Sequence, residues 1–146
     1  MAAPLPPPAT VHATCIAIGT RGVILIGGSG TGKSDLAMRL IDRGAVLVAD
    51  DRCELRVQGG VPLCRPPESL AGKIEVRGLG IMERPWSAPI PVVLAVRLVE
   101  RYERMPDDSM TELVAGQHVP AVKISAFETS AAIKVEMALE RLIAGR

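Results

Sequence analysis

A glycine-rich segment contains the residue types that could bind phosphate. Residues 27–34 read Gly-Gly-Ser-Gly-Thr-Gly-Lys-Ser and fit the pattern Gly-x-x-x-x-Gly-Lys-Ser. Glycines let successive backbone N–H groups point into one concavity that holds phosphate oxygens, and a helix beginning near Lys33 adds its positive end. Lys33 would reach the terminal phosphates, and the Ser34 hydroxyl would ligate Mg²⁺. The segment therefore predicts a nucleoside triphosphate site formed by Gly27, Gly28, Ser29, Gly30, Thr31, Gly32, Lys33 and Ser34.

Two adjacent carboxylates, Asp50 and Asp51, follow the next apolar run of the chain. Ligands of an α/β sheet bind beyond the carboxyl ends of its strands, which is where these two residues fall. Side chains alternate along a strand, so the two carboxylates point in different directions. One can hold the metal ion while the other faces the acceptor of the phosphoryl group. The residue pattern leaves open which aspartate has which role.

Three more residues have types that could join this site, although each also has a simpler explanation. His12 lies on the polar side of the first predicted strand, where a lone histidine often has no special role. Glu75 and Arg77 flank Val76 and share one face of a short strand, where they could form an exposed ion pair of little energetic value. They would act on phosphate only if the turn at residues 78–80 folds them toward the glycine-rich segment.

The composition supports a folded domain and argues against several classes of function. The chain has 146 residues, of which 48% are hydrophobic and 23% charged, enough for one domain with a packed core. A net charge of +1 and only three aromatic residues argue against nucleic-acid binding. No apolar run approaches the roughly 20 residues of a membrane span, so we expect no membrane partner. Cys15, Cys53 and Cys64 form no CxxC pair and are expected to be buried, reduced residues.

The apolar pattern predicts the elements that must position these residues. A Pro-rich flexible leader is expected over residues 1–10 and a folded domain over residues 11–146. Strands are predicted at residues 11–18, 23–26, 45–49, 53–57, 73–77 and 92–99, with one helix over 33–43 and another near the C-terminus. An antiparallel ribbon beginning at residue 53 favours a mixed β-sheet with flanking helices, within the α/β class. Residues 101–117 have no clean period and are expected to form a mobile loop.

These segments together resemble the catalytic domain of HPr kinase/phosphorylase. His12 on a strand ahead of the glycine-rich segment and the run Val-Leu-Val-Ala-Asp-Asp at residues 46–51 are similar to the family. The most specific match is to its signature stretch, formed here by Ile74, Glu75, Val76, Arg77, Gly78, Leu79 and Gly80. The resemblance covers residues 11–81 well and the rest loosely. It implies a single P-loop-containing kinase domain, as a short form that consists of the catalytic domain only.

The resemblance also implies an activity and a set of roles. A member of the family would be an ATP- and Mg²⁺-dependent protein-serine kinase that phosphorylates HPr, or an HPr-like phosphocarrier of the sugar phosphotransferase system. Asp51 would accept the proton of the substrate serine, Asp50 would support the metal, and Glu75 would be a further Mg²⁺ ligand. His12 would join the catalytic network with Lys33. The cysteine pattern favours a cytoplasmic location, and the family suggests a homo-oligomer, such as a hexamer.

One departure from the family affects the expected activity. Family members carry Pro-Val-x-x-Gly-Arg just before the C-terminal helix, whereas residues 123–132 contain no arginine. We therefore expect the reverse, phosphorylase activity to be weak or lost. Ile133 and Met137 lie off the apolar stripe of that helix and are candidates for contact with the carrier protein.

Two other functions are compatible with the same phosphate-binding motif. A small-molecule kinase could draw the charges of a lid from Arg97, Arg101 and Arg104. A regulatory module could bind ATP as a signal without transferring phosphate. Three carboxylates around the terminal phosphate, from Asp50, Asp51 and Glu75, favour an enzyme over such a sensor.

Overall fold

The structure is a computed structural model that describes residues 8–145. Its strands are β1 Ala9–Val11, β2 Thr14–Ile18, β3 Arg21–Ile26, β4 Val46–Ala49, β5 Cys53–Gln58, β6 Val61–Arg65, β7 Lys73–Val76, β8 Gly80–Glu83, β9 Ile90–Leu98, β10 Thr111–Val114 and β11 Gln117–Ile124. Its α-helices are α1 Lys33–Asp42 and α2 Ala131–Ile143, and a short 3₁₀ turn spans Glu68–Leu70. No helix within residues 8–145 combines the length and the apolarity that crossing a bilayer requires.

The long strand β9 lies at the centre of a nine-stranded sheet. It pairs with β3 along one edge and with β6 and then β11 along the other. The pairs β3–β9 and β9–β11 are parallel, whereas β2 pairs antiparallel with both β3 and β4, and β5 pairs antiparallel with both β1 and β6. Strands β7 and β8 form a separate antiparallel ribbon. The predicted mixed sheet is confirmed.

Hydrophobic residues fill both faces of the central strands. Along β3, Val23 and Leu25 pack into the cluster that contains the two helices, and Ile24 packs into a second cluster on the opposite face. This alternation explains the continuous apolar run, because a strand covered on both faces has no polar side. The two α-helices thus cover one face of the sheet, and the β5–β6 ribbon contributes to the core of the other.

Helix α1 ends as the sequence predicted. Gly44 has a φ of 110°, and its N–H donates to the carbonyl of Ile41. The N–H of Ala45 donates to the carbonyl of Leu40, which completes a Schellman motif. The chain therefore turns sharply out of α1 and enters β4, which carries the two aspartates at its carboxyl end.

The first predicted strand is divided in two. Strand β1 starts at Ala9 and pairs with β5, whereas β2 starts at Thr14 and pairs with β3 and β4. The chain crosses from one part of the sheet to another at His12 and Ala13, which places His12 in a break between strands. The predicted leader at residues 1–10 overlaps β1 at Ala9 and Thr10, and its residues 1–7 lie outside the described residues.

The predicted mobile loop over residues 101–117 is wrong in its second half. Strands β10 and β11 form an antiparallel hairpin there, and β11 then adds to the sheet beside β9. Ala115 and Gly116 form the turn, with φ angles of 50° and 78°. Two consecutive positive φ angles suit a tight hairpin turn, but Ala-Gly is a weaker sequence signal for it than Asn-Gly.

Candidate active site

The glycine-rich loop connects β3 to α1 and forms an open cradle. Gly30 and Gly32 have φ angles of 80° and 91°, which favour glycine over residues with a side chain. A β-carbon on Gly32 would also lie 2.9 Å from the β-carbon of Ala126. The loop is braced internally by the Thr31 hydroxyl, which donates to the carbonyl of Gly28 at 2.7 Å. The backbone therefore adopts the curved conformation that the motif predicts.

Lys33, the first residue of α1, places its charge within this curve. Its side chain is 8% exposed, and its Nζ donates to the carbonyls of Gly27 at 2.8 Å and Gly28 at 3.0 Å. The ammonium group and the positive end of α1 make the cradle attractive to anions.

Asp50 is buried beneath the cavity and joins three elements of the fold. It is 4% exposed, and its Oδ1 accepts hydrogen bonds from the hydroxyls of Thr14 at 2.9 Å and Ser34 at 2.7 Å. Its Oδ2 accepts a bond from the backbone N–H of Glu75 at 2.9 Å. A carboxylate at this depth requires such donors, because its loss of hydration is otherwise uncompensated. Asp50 thereby fixes the positions of β2, the start of α1 and β7.

The pairing of Ser34 with Asp50 has the composition of a magnesium site. Mg²⁺ in phosphoryl-transfer proteins is held by a phosphate-loop hydroxyl, an aspartate at a strand end and the oxygens of the substrate phosphates. Residues 8–145 contain no cluster of three or more His, Cys, Asp or Glu ligands that could hold a metal ion unaided. Such a cluster is not needed where the nucleotide supplies several ligands, so the residues present fit Mg²⁺.

Asp51 points away from Asp50 and pairs with His12. The Nε2 of His12 and the Oδ1 of Asp51 are 2.5 Å apart, and both side chains are more than half exposed. The backbone of Asp51 is left-handed, with a φ of 70°, which is uncommon for residues other than glycine but tolerated by aspartate. This turn separates the two carboxylates, as the sequence predicted. An accessible carboxylate oriented by a histidine can accept a proton from a hydroxyl group.

The β7–β8 ribbon brings the signature stretch to the same place. Gly78 lies in the turn of the ribbon and Gly80 begins β8, with φ angles of 89° and 93°. Ile74 is buried in the core beside the helices, which anchors the ribbon. Glu75 and Arg77 consequently line the cavity together with the phosphate loop. The turn of the ribbon thus places Glu75 and Arg77 beside the phosphate loop, as a role for them on phosphate would require.

One cavity of about 470 Å³ unites most of the predicted residues, and its volume is typical of small-ligand sites. It is lined by His12, Thr14, Ser29, Gly30, Gly32, Lys33, Ser34, Asp35, Met38, Asp51, Glu75, Val76, Arg77 and Phe127. Asp50 lies below this lining as the support for Ser34. Thr14, Asp35, Met38 and Phe127 were not predicted as site residues. Thr14 gave a weak signal as a polar residue in an apolar run, and Phe127 as one of three aromatic residues in the chain.

Other candidate residues lie apart from this cavity. Arg97 pairs with Glu112 through two hydrogen bonds of 2.8 Å on the neighbouring hairpin, so its charge is already engaged. Ile133 lines a second cavity, of about 600 Å³, between α1, α2 and the β7–β8 ribbon. Met137 is exposed on α2.

Comparisons with known proteins identify the family to which this chain is similar. The sequence model of the family described as HPr Serine kinase C-terminal domain matches residues 4–86. The chain is 35% identical to the HPr kinase/phosphorylase of Bordetella pertussis and 37% identical to that of Burkholderia lata, with 95% of this chain covered in each case. These alignments cover 50% and 47% of the two relatives, so the chain spans about half their length.

The fold is also similar to that of a solved structure. The Hpr(Ser) kinase/phosphatase from Coxiella burnetii superimposes with a TM-score of 0.80 at 28% sequence identity, over 94% of this chain and 97% of that one. The predicted α/β fold of the HPr kinase type is therefore confirmed. With a family match over more than half of its residues and relatives aligned along nearly all of it, the chain belongs to the family of the HPr Serine kinase C-terminal domain.

Proposed function

We propose that this domain is an ATP- and Mg²⁺-dependent protein-serine kinase that phosphorylates HPr or an HPr-like phosphocarrier. The observation that carries the proposal is one cavity in which a phosphate cradle and the His12–Asp51 pair meet, with Ser34 in its wall held from below by Asp50. The family and the names of the relatives support the identity of the acceptor protein. A cradle alone would suit any nucleotide-binding protein, but the accessible His12–Asp51 pair adds a group that can accept a proton.

In this proposal, the phosphate loop and the metal ligands hold the triphosphate. The backbone N–H groups of residues 28–33 and the ammonium of Lys33 bind its oxygens. Ser34, Asp50 and Glu75 hold Mg²⁺, which neutralises charge on the phosphate oxygens when bound. Arg77, on the wall of the same cavity, adds a further positive charge.

The His12–Asp51 pair acts on the acceptor. Asp51 accepts the proton of the incoming serine hydroxyl, and His12 holds the carboxylate in place from the break between β1 and β2. Transfer then depends on alignment of the serine oxygen with the terminal phosphorus, because positioning and charge neutralisation supply most of the acceleration in this chemistry.

The remaining parts of the proposal concern the reverse reaction and the setting. We expect little phosphorylase activity, because residues 123–132 carry no arginine where the family has one among its active residues. The unpaired cysteines suit a reducing cytoplasm. The exposed side chains of Ile133 and Met137 suit contact with a carrier or with another copy of the chain in a homo-oligomer. Sedimentation velocity would report the assembly state directly.

The test is to follow labelled phosphate from ATP in the presence of Mg²⁺, with and without purified HPr. The proposal expects label on a serine of HPr, and expects the Lys33→Ala variant to transfer none because the charge on the phosphates is lost. Asp108→Asn, an exposed substitution outside the cavity, is the matched control and should transfer at the rate of the unmodified chain. Label on a small molecule instead, or ATP binding without transfer to HPr, would contradict the proposal.

A further inference from the structure

An exposed aromatic ring lies at the edge of the phosphate loop. Phe127 belongs to the connection between β11 and α2, is 71% exposed, and lines the same cavity as Lys33 and Ser34. A β-carbon on Gly32 would lie 3.4 Å from Cε1 of this ring. The ring therefore stands directly beside the backbone that forms the cradle, with most of its surface open to solvent.

The backbone on both sides of Phe127 is fixed by side chains from other elements. Arg39 of α1 donates to the carbonyl of Ala126, and to that of Glu128 at 3.2 Å. The Glu128 carboxylate accepts hydrogen bonds from the Tyr102 hydroxyl and from Lys134. The ring is thus presented from an anchored segment while it contributes little to the core.

The position of the ring suits a planar group that extends beyond the phosphates. When the cradle holds the phosphate chain of a nucleotide, the sugar and the base continue outward along the cavity wall. Among the described residues of that wall, Phe127 alone is a phenylalanine, tyrosine or tryptophan. Aromatic side chains stack on nucleobases through their π-faces, and the interaction tolerates any base.

We propose that Phe127 stacks against the base of the bound nucleotide, and so raises the affinity of this site for nucleotides above its affinity for inorganic polyphosphates. The inference deepens the proposed function and rests on it, because it assigns a base-contacting residue to the same site. It adds no proton transfer or bond cleavage. Its effect is on the affinity for the part of the ligand that inorganic phosphates lack.

The test compares two ligands that share the phosphate chain and differ in the base. Isothermal titration calorimetry with Mg²⁺ would measure binding of ATP and of inorganic tripolyphosphate to the unmodified chain and to Phe127→Ala, Phe127→Leu and Phe127→Tyr. Leu113→Ala is the control, because Leu113 is also an exposed apolar residue but lies outside the cavity. Circular dichroism would establish that each variant is folded.

The expected result is specific to the ligand with a base. Phe127→Ala should weaken ATP binding by about 5- to 150-fold, the range found when a base-stacking aromatic residue is removed, and should leave tripolyphosphate binding within about twofold. Phe127→Leu, which keeps an apolar side chain without a π-face, should also weaken ATP binding, whereas Phe127→Tyr and Leu113→Ala should not.

Two results would overturn the inference, and they are distinguishable from each other. If the unmodified chain binds both ligands and the Phe127 variants bind ATP normally, or lose both ligands equally, the assignment of Phe127 fails while the phosphate site stands. If the unmodified chain binds neither ligand, the proposed nucleotide site itself fails, and the role of Phe127 with it.

Discussion

Asp50 brings a negative charge into a buried part of the domain, where its two oxygens accept hydrogen bonds from Thr14, Ser34 and the backbone of Glu75. Because these donors belong to separate segments of the chain, the carboxylate acts on the structure of the site as well as on its chemistry. Removing any one donor leaves a buried charge with fewer partners, which is more costly than losing a hydrogen bond at the surface.

The Thr14→Val variant tests this structural role. Valine keeps the shape of the side chain but removes the hydroxyl that donates a hydrogen bond to Asp50. We therefore expect the free energy of unfolding to fall by about 1.5–3 kcal/mol. Urea denaturation would measure the change. Thr111→Val is the matched control, because the Thr111 hydroxyl contacts His118 in an exposed position, and its effect should stay within about 0.5 kcal/mol. If the two variants lose equal unfolding free energy, the buried carboxylate of Asp50 does not depend on the Thr14 hydroxyl.

The Asp51→Asn variant tests the chemical role of the second aspartate. Asparagine tolerates the left-handed backbone of this position but cannot accept the proton, so kcat for HPr phosphorylation should fall by about 10²- to 10⁴-fold. The affinity for ATP should change by less than about threefold, as calorimetry would show. Normal turnover in this variant would move the role of proton acceptor to Asp50.

The residues proposed to act on the nucleotide and on the acceptor were easier to predict than the residues that hold them in place. The types and spacing of Lys33, Ser34, Asp50 and Asp51 make them candidates, because a phosphate loop carries a lysine and a hydroxyl, and a carboxylate at a strand end can hold Mg²⁺ or accept a proton. Thr14 escaped prediction since its role depends on the register between β2 and β4, where Cys15 lies opposite Ala49. That register brings together residues 36 positions apart, and local sequence patterns do not encode it.

At the level of secondary-structure elements, the phosphate loop lies against the connection between β11 and α2, which contains Ala126. Gly32 has a positive φ and no room for a side chain, whereas Gly44 has a positive φ and open space around it. Gly44→Ala should therefore cost about 1–2 kcal/mol from backbone strain alone. Gly32→Ala should cost at least about 1 kcal/mol more, because its methyl group would overlap Ala126.

Urea denaturation of the two glycine variants measures this difference directly. Calorimetry with tripolyphosphate provides a second readout, since only Gly32→Ala should displace the cradle and weaken binding. Equal unfolding free energies for the two variants would show that the loop can move away from Ala126 at no cost.

The ion pair between β9 and β10 gives the stability a pH dependence. The hydrogen bonds from Arg97 lower the pKa of Glu112 below its ordinary value. A carboxyl with a lowered folded-state pKa stabilises the fold fully above its unfolded pKa, about 4.3, and loses that contribution as the pH falls through the folded-state value. Because Arg97 is 37% exposed at the side chain, solvent screening limits the gain to less than about 1 kcal/mol.

Urea denaturation of Glu112→Gln at two pH values tests this dependence. The variant should be less stable than the unmodified chain at pH 7, and the difference should shrink toward zero at a pH well below 4. Glu103→Gln, at an exposed position of the connection between β9 and β10, should show no such change. A difference that persists at low pH would mean that Glu112 acts through packing.

The elements around the site followed their sequence patterns, whereas the β10–β11 hairpin did not. Strand β3 is a short continuous apolar run, and helix α1 has clear periodicity with an end signal at Gly44. In β11, Pro120 has no N–H to donate to a neighbouring strand, and proline inside an apolar run argues against a strand. The structure accommodates it opposite Thr111 in the hairpin, at a position before β11 joins β9.

At the scale of the whole molecule, two hydrophobic clusters make the central sheet inaccessible from either face. All three cysteines lie in the cluster opposite the helices and are buried. Hydrogen bonding to Cys64 and burial raise the pKa of the Cys15 thiol, and the same two causes raise that of Cys53. Thiols of this kind react only when the domain opens, because the nucleophile is the thiolate.

The rate of labelling by a thiol reagent such as DTNB tests the integrity of this cluster. At pH 7 the native chain should label slowly, and Cys15 and Cys53 should react together once urea passes the unfolding midpoint. Mass spectrometry of the labelled peptides would identify the residues. Rapid labelling of Cys15 or Cys53 under native conditions would contradict the closed core.

The composition and the motif order were enough to predict a mixed α/β domain, but not the position of β9 at its centre. The run at residues 92–99 predicts a strand without specifying its neighbours. Its parallel partners are β3 and β11, which lie before and after it in the chain, and parallel pairing depends on long crossover connections. Sequence patterns that extend over ten residues do not determine such pairings.

The central position of β9 also sets the order in which the cradle can form during synthesis. Every residue proposed to act on phosphate or on the acceptor hydroxyl has left the ribosome before β9 does, yet β3 lacks its parallel neighbour until then. A fragment that stops at Trp86 would contain all of these residues, but one edge of β3 would have no partner strand. The nascent chain is therefore expected to gain its phosphate cradle late, when β9 pairs with β3 in the sheet.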